Sequence, residues 1–228
     1  MVEENIALER INVRNMALKN TMGMESDFNL QQARERLRLH ESNLDSIESA
    51  LAGARTSLNQ FLGFSPNRDI FIEYDVTFNR VSSNVERHIA LRFPDDPNLA
   101  IERRRVEHLE YIRDTTDHVM GESILRLDND LAAARRNYSD MVNRFSRNIY
   151  TAWNNLRQIE ERRNSLEIDL NLARNNYNQA VTNFEAGRIT MFEVQQLKVQ
   201  LLSIEIALIR NQFEYDNLRF AYDRPYLL

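Results

Sequence analysis

From Glu122 to Ala186 the sequence runs for 65 residues without a glycine or a proline. Within this run Ile124, Leu127, Leu131, Ala134, Tyr138, Met141 and Phe145 step by three and four, the spacing of one face of a helix. The step from Phe145 to Ile149 is four again, and the seam resumes at Ile149, Ala152, Leu156, Ile159, Arg163, Leu166, Leu170, Ala173, Tyr177, Ala180 and Phe184. Such a slip locally unwinds a left-handed supercoil but gives the backbone no reason to stop. One uninterrupted helix on the order of 90 Å long is therefore expected, with Gly121 as the candidate break before it.

The rest of the chain obeys the same logic, because 5 Gly and 4 Pro in 228 residues leave few places to turn. Asn5 to Thr21 reads as a short helix. Leu30, Ala33, Leu37, His40, Leu44, Ile47, Leu51, Ala54, Leu58 and Phe61 form a second seam, ended by Gly63 and Pro66. Asp69 to Phe78 is rich in β-branched and aromatic residues and predicts a strap, extended or a short strand. Val81 to Leu91 predicts a short helix. Asp95-Asp96-Pro97 has the form of a cap opening another helix, which runs to about Asp117. The last helix carries a seam at Val194, Leu197, Leu201, Ile204, Leu208, Asn211, Tyr215, Leu218 and Tyr222, and stops before Pro225. Its second stripe, Val199, Leu202, Ile206, Ile209, Phe213 and Phe220, predicts a further neighbour. The expected fold is all-α, with elongated coiled-coil helical hairpins in two repeats and a small mixed strap region. A single elongated helical domain is expected over 1–228, with repeats at 5–63 and 123–225 joined by 64–122.

The two repeats share their turns. Gly187-x-x-Thr190-x-Phe192-x-Val194-Gln195-Gln196 matches Gly23-x-x-Ser26-x-Phe28-x-Leu30-Gln31-Gln32 at a constant offset of 164 residues. A glycine can enter the left-handed region at no Cβ cost, and a hydroxyl three residues later can cap the next helix. Each element therefore reads as helix, tight turn, helix.

Composition narrows the function. Charged residues make up 28% of the chain, so its apolar residues must lie in narrow stripes. A net charge of −5 gives no electrostatic reason to bind nucleic acid or an acidic membrane. The absence of cysteine excludes disulfides and thiolate metal sites. No apolar run approaches the ~18 residues of a membrane span, and Met1 to Lys19 is charged throughout, so neither a spanning helix nor a signal peptide is expected in the sequence. His40, His88, His108 and His118 have no metal-like spacing, and His40 reads as a core histidine on its seam. Arg103, Arg104 and Arg105 lie between Glu102 and Glu107 as a solvated, ion-paired helix face. There is no phosphate loop, nucleophile elbow or paired buried carboxylate, so no enzyme, cofactor or metal is expected.

The helix entering Phe184-x-x-Gly187-x-x-Thr190-x-x-Glu193-Val194, with the ladder Leu201, Leu208, Tyr215 and Leu218 behind it, resembles the second repeat of the outer-membrane efflux channel (TolC-like) family. Asn20 to Phe61, closing with Leu58-Asn59-Gln60-Phe61-Leu62-Gly63, resembles the first repeat. Asp96-Pro97-Asn98-Leu99-Ala100 is similar to the segment opening the family's next helix. The resemblance implies a periplasmic, cell-envelope protein that forms a helical barrel as a homotrimer and conducts substrates in efflux or type I secretion. It implies docking of a periplasmic adaptor protein and an inner-membrane pump at the turns, through Met22, Gly23, Met24, Ser26, Ala186, Gly187, Arg188 and Thr190. It implies a constriction at Glu193, with Gln196 beside it and Asn29 as the non-acidic counterpart of Glu193. The family's membrane strands have no equivalent between Thr115 and Leu125, so the chain reads as the helical part of such a channel, or as a relative that does not cross an outer membrane. A coiled-coil scaffold or tether of the envelope with no channel is the alternative.

Overall fold

The computed structural model describes residues 1–73, 77–81, 84–115 and 121–227. These residues are all-α. Helices α1 (Val2–Thr21), α2 (Asp27–Phe61), α3 (Val85–Arg92), α4 (Pro97–Thr115), α5 (Gly121–Glu185) and α6 (Met191–Asp223) are joined by turns, with 3-10 turns at Phe93–Asp95 and Pro225–Leu227. The run without glycine or proline is one unbroken helix, α5. No described helix is long and apolar enough to cross a membrane. The chain divides into two compact units, one of Met1–Val76 with Ser165–Ile209 and one of Thr77–Asn164 with Arg210–Leu228.

In the first unit α1 and α2 lie antiparallel, tied by the ion pair of Arg10 with Glu41 at 2.9 Å. Ile6, Leu30 and Ala33 are buried, and Leu37, His40 and Leu44 are half-buried. From Ile47 onward the α2 seam is largely exposed. The Arg10–Glu41 register sets Val2 level with about residue 49, so most of the second half of α2 has no α1 residue opposite it. At its end Gly63 takes φ +73°, and the Phe64 N–H donates to Asn59 O at 2.7 Å. The Asn59 side chain, 1% exposed, donates to Pro66 O and Arg68 O at 3.0 and 2.8 Å and folds the following loop back on the helix. Residues 165–185 of α5 and 191–209 of α6 supply buried Ala173, Ala180 and Val194 and a cross-helix ion pair, Arg174 with Glu205 at 3.3 Å.

The second unit holds the larger core. Phe145, Ile149, Ala152, Leu156 and Ile159 of α5 pack with Tyr215 and Tyr222 of α6, Val85 of α3 and Leu99 of α4. The seam slip falls in its middle, and Phe145 and Ile149 are both buried there. Local signals set the helix ends. Asn84 caps α3 by accepting the Arg87 N–H at 2.7 Å. Asp96 caps α4, accepting the Asn98 and Leu99 N–H groups at 2.8 and 3.0 Å, with Pro97 in the first helical position as its spacing predicts. Ion pairs of Glu110 with Arg135 (2.7 Å) and Arg113 with Asp128 (2.6 Å) join α4 to α5.

One expectation narrows and one changes. Of the two forms expected of the strap, extended or a short strand, no strand forms in residues 69–73 or 77–81, and among the described residues there is no second strand to pair with it. Its middle, Tyr74 to Val76, lies outside the described residues, as do Ser82, Ser83 and Thr116 to Met120. Instead of pairing, residues 77–81 lie on helices. Phe78 packs on Tyr215 at 4.5 Å between ring centroids, under the Arg163 guanidinium at 4.3 Å. The Val81 N–H donates to Tyr215 Oη at 2.8 Å and to Glu160 Oε1 at 3.2 Å. The helix expected from Val81 begins only at Val85, where Asn84 supplies the cap.

Candidate functional site

The two glycine turns both belong to the first unit, and they match hydrogen bond for hydrogen bond. At the end of α1 the Met24 N–H donates to Lys19 O at 2.8 Å and the Gly23 N–H to Asn20 O at 2.9 Å. At the end of α5 the Arg188 N–H donates to Asn183 O at 2.8 Å and the Gly187 N–H to Phe184 O at 2.9 Å. This pair of bonds closes a helix only if the residue after it is left-handed, and Gly23 and Gly187 take φ +71° and +69°. A Cβ at either glycine would meet nothing within 4 Å, so backbone conformation alone requires glycine there.

The outgoing helices are capped by the predicted hydroxyls. Ser26 Oγ accepts the Asn29 N–H at 3.2 Å, and Thr190 Oγ1 accepts the Glu193 N–H at 3.4 Å. The Glu193 carboxylate reaches back to accept the Thr190 N–H at 2.7 Å and the Thr190 hydroxyl at 2.9 Å, completing a capping box. These bonds, the N–H first, hold its carboxyl below the ordinary carboxylate range. Asn29 cannot do this. In the first turn Glu25 takes over, accepting the Asn29 side-chain amide at 2.6 Å and the Ser26 N–H at 3.2 Å, and its carboxyl is lowered by those two contacts in that order. Each turn thus places one carboxylate on the N–H of its capping residue, from the position before the cap in one and three after it in the other. Position-by-position matching of the two repeats does not bring out Glu25, because the bond to the cap N–H recurs between the turns only by a change of position.

The faces differ. Met22, Met24 and Phe28 of the first turn are 65%, 74% and 69% exposed. The second turn shows Ala186, Arg188 and Thr190 to solvent, with Phe192 half-buried. Asn29 and Gln196 are exposed, and the first core residues behind the turns, Leu30 and Val194, are buried. Gln195, by contrast, turns inward and donates to Glu4 O and Glu4 Oε2 at 3.2 and 2.7 Å. Lys198 joins it at 2.8 Å from Glu4 Oε1, which lowers the Glu4 carboxyl and raises the Lys198 ammonium.

That junction decides where the turns stand. Glu4 precedes Gly23 by 19 residues, about 28 Å of helix, whereas Gln195 follows Gly187 by only 8, about 12 Å. With α1 and α6 in contact through Glu4 and Gln195, the two turns are offset by on the order of 16 Å or more along the helices and do not share a site. Among the described residues no cluster of His, Cys, Asp or Glu could hold a metal ion. Compared with protein-family models and with curated proteins, the chain matches none.

Proposed function

We propose that the chain is the helical conduit of a tripartite efflux or type I secretion channel, with its glycine turns as docking tips for a periplasmic adaptor and an inner-membrane pump. One observation carries this reading: a complete turn, from closing hydrogen bonds to capping carboxylate, recurs 164 residues apart although side chains at five of the thirteen positions from Asn20 to Gln32 differ strongly in character. A hairpin needs only some turn. Keeping the backbone geometry while the side chains diverge fits a tip read by its shape, approached closely by a partner because no Cβ stands in the way. In this reading the working form is a homotrimer in the cell envelope, and Glu193 lines the constriction.

A second reading, a coiled-coil scaffold or tether with no channel, draws support from the axial offset of the turns, since a ring of docking tips works best at one level. Photo-crosslinking in cells from positions 24 and 188, with native mass spectrometry of the purified chain, separates the two. Trimers and crosslinks to a helical-hairpin adaptor are expected for the conduit. Dimers or monomers with no such crosslinks would leave the scaffold.

A further inference from the structure

In the first unit, the outer face of α2 carries a stripe with apolar ends and no cover. Phe28, Gln32, Glu35 and Leu39 step by four, three and four, so at ~100° per residue they fall within about 60° of one another. The stripe lies about 160° round the helix from Leu30, Ala33 and Leu37, the buried and half-buried seam. Phe28 is 69% and Leu39 70% exposed, and an open groove of about 460 Å³ runs between them over Gln31, Gln32, Glu35 and Arg36. Bare apolar side chains at both ends of one groove mark an interaction face, unlike apolar residues scattered singly. The repeat did not copy this face. The 164-residue offset puts Val199 and Ser203 of α6 in the places of Glu35 and Leu39.

The stripe is complementary to itself. A four-three-four spacing reads the same in both directions. With a second α2 laid antiparallel on the first, Phe28 meets Leu39 of the second copy and Gln32 meets its Glu35, and each contact occurs twice. The Gln32 amide can then donate to the Glu35 carboxylate while each phenyl ring covers a leucine. On the flanks, this register brings Arg36 beside Asn29 and Arg38 beside Gln31 of the second copy, so each arginine faces an amide oxygen. Asn29 already gives an amide N–H to Glu25, which leaves its oxygen to accept. A parallel pair would instead bring two Glu35 carboxylates together at the centre of the contact, between apolar layers. Spacing and charge thus select a second copy of this chain in one orientation. We propose that the outer face of α2 is an interface between two copies, packed antiparallel about the midpoint between Gln32 and Glu35. A helix pair of this length buries less than about 1,200 Å², the range of weak and transient contacts, so association is expected on the order of 100 µM. The proposal does not depend on the conduit reading, because the contact pairs whatever assembly presents α2, a single chain or a trimer.

The test is sedimentation velocity of the full chain over a concentration series, with Leu39→Glu measured beside it. The unaltered chain is expected to reach twice the mass of the variant. Leu39→Glu is expected to weaken association by about a hundredfold or more, because both Phe28–Leu39 layers are lost at once. Leu39 is exposed on a helix surface, so the variant is expected to keep the circular dichroism spectrum and melting temperature of the unaltered chain. Orientation is read by pulsed electron resonance from a nitroxide on Ser46→Cys, an exposed position. Ser46 lies beyond the midpoint on the same stripe, so two labels in an antiparallel pair stand about 38 Å apart along the helices, whereas a parallel pair brings the backbones there to about 10 Å. A mass that stays constant up to ~1 mM overturns the proposal, and is the outcome expected if another protein covers this face. Association that Leu39→Glu leaves intact, or labels at the parallel distance, overturns it as well.

Discussion

Replacing Tyr215 with Phe removes one hydroxyl from the middle of the second unit and measures what holds residues 77–81 to the helices. The residue is fully buried. Its hydroxyl accepts the Val81 N–H at 2.8 Å, and its own proton goes to Asn79 O or to Glu160 Oε1, both at 3.0 Å. Burial first, and then the Glu160 carboxylate, push its pKa well above the usual phenol value, so it is a neutral donor at any ordinary pH. Losing one neutral bond and one shared with a carboxylate would remove about 1 and about 1.5–3 kcal/mol respectively. Every former partner nevertheless keeps another contact. Val81 N–H retains Glu160 at 3.2 Å, Asn79 O retains Arg219 Nη1 at 2.8 Å, and Glu160 retains Arg157 Nη1 at 2.7 Å. No group is orphaned, so the lower end applies, about 2.5 kcal/mol or roughly a seventyfold shift in the unfolding equilibrium. The ring contact with Phe78 survives the change. Trp153, the one tryptophan, packs against this core, so its fluorescence during urea unfolding reports on this unit. The midpoint is expected to fall with no change in slope. Tyr150→Phe, which loses an exposed bond to Glu86, is the control and is expected to leave the midpoint in place. A loss in Tyr215→Phe below ~0.5 kcal/mol, small against the expected value, would refute the view that this hydroxyl fastens the segment.

Three further outcomes are expected. The Tyr222 phenol is pushed up to about 12, by burial and then by Asp223, against about 10 when unfolded; the unit therefore keeps this contribution below pH ~10 and loses it as pH rises towards 12, and Tyr222→Phe should lessen that loss in Trp153 fluorescence. The Glu4 carboxyl is held down by Lys198 and then Gln195, so its contribution is present above the unfolded value and lost as pH falls through the folded one; a side-chain carbon NMR titration should place its midpoint below that of a free glutamate and return it upward in Lys198→Met, and an unmoved midpoint would refute the junction. In thermal unfolding followed by circular dichroism, Thr190→Ala is expected to lose about 1 kcal/mol with the cap and Gly187→Leu about 1 kcal/mol for a left-handed leucine; if Gly187→Leu also abolishes adaptor crosslinking at so small a structural cost, the turn is a docking surface, and if crosslinking survives it is structural only.

Helix signals are local, so the sequence by itself determined most of the elements and their ends. Gly23, Gly187 and Gly63 sit where left-handed residues close helices, and Ser26, Thr190 and Asp96 cap the next ones. The α5 seam was legible for the same reason: each position from Ile124 to Ala180 is buried or half-buried, because a three-four spacing is a property of one helix. Coverage is a property of pairs, and only the tertiary structure decided it. Ile47, Leu51 and Phe61 fit the α2 seam yet are exposed because α1 does not reach most of that stretch, and along the second stripe of α6 Val199, Leu202 and Ile206 are half-buried while Ile209, Phe213 and Phe220 are exposed. Buried polar side chains were illegible too. Glu160 is acceptable in the core only because Arg157, Tyr215 and the Val81 N–H converge on it, and Gln195 only because Glu4 stands 191 residues away in sequence and under 3 Å away in space. For the turns, the repeat identified both and their caps, but the exchange of Glu193 for Glu25 and the axial offset depend on how side chains fold back and on which helix meets which, and neither is written in the spacing of residues along one helix.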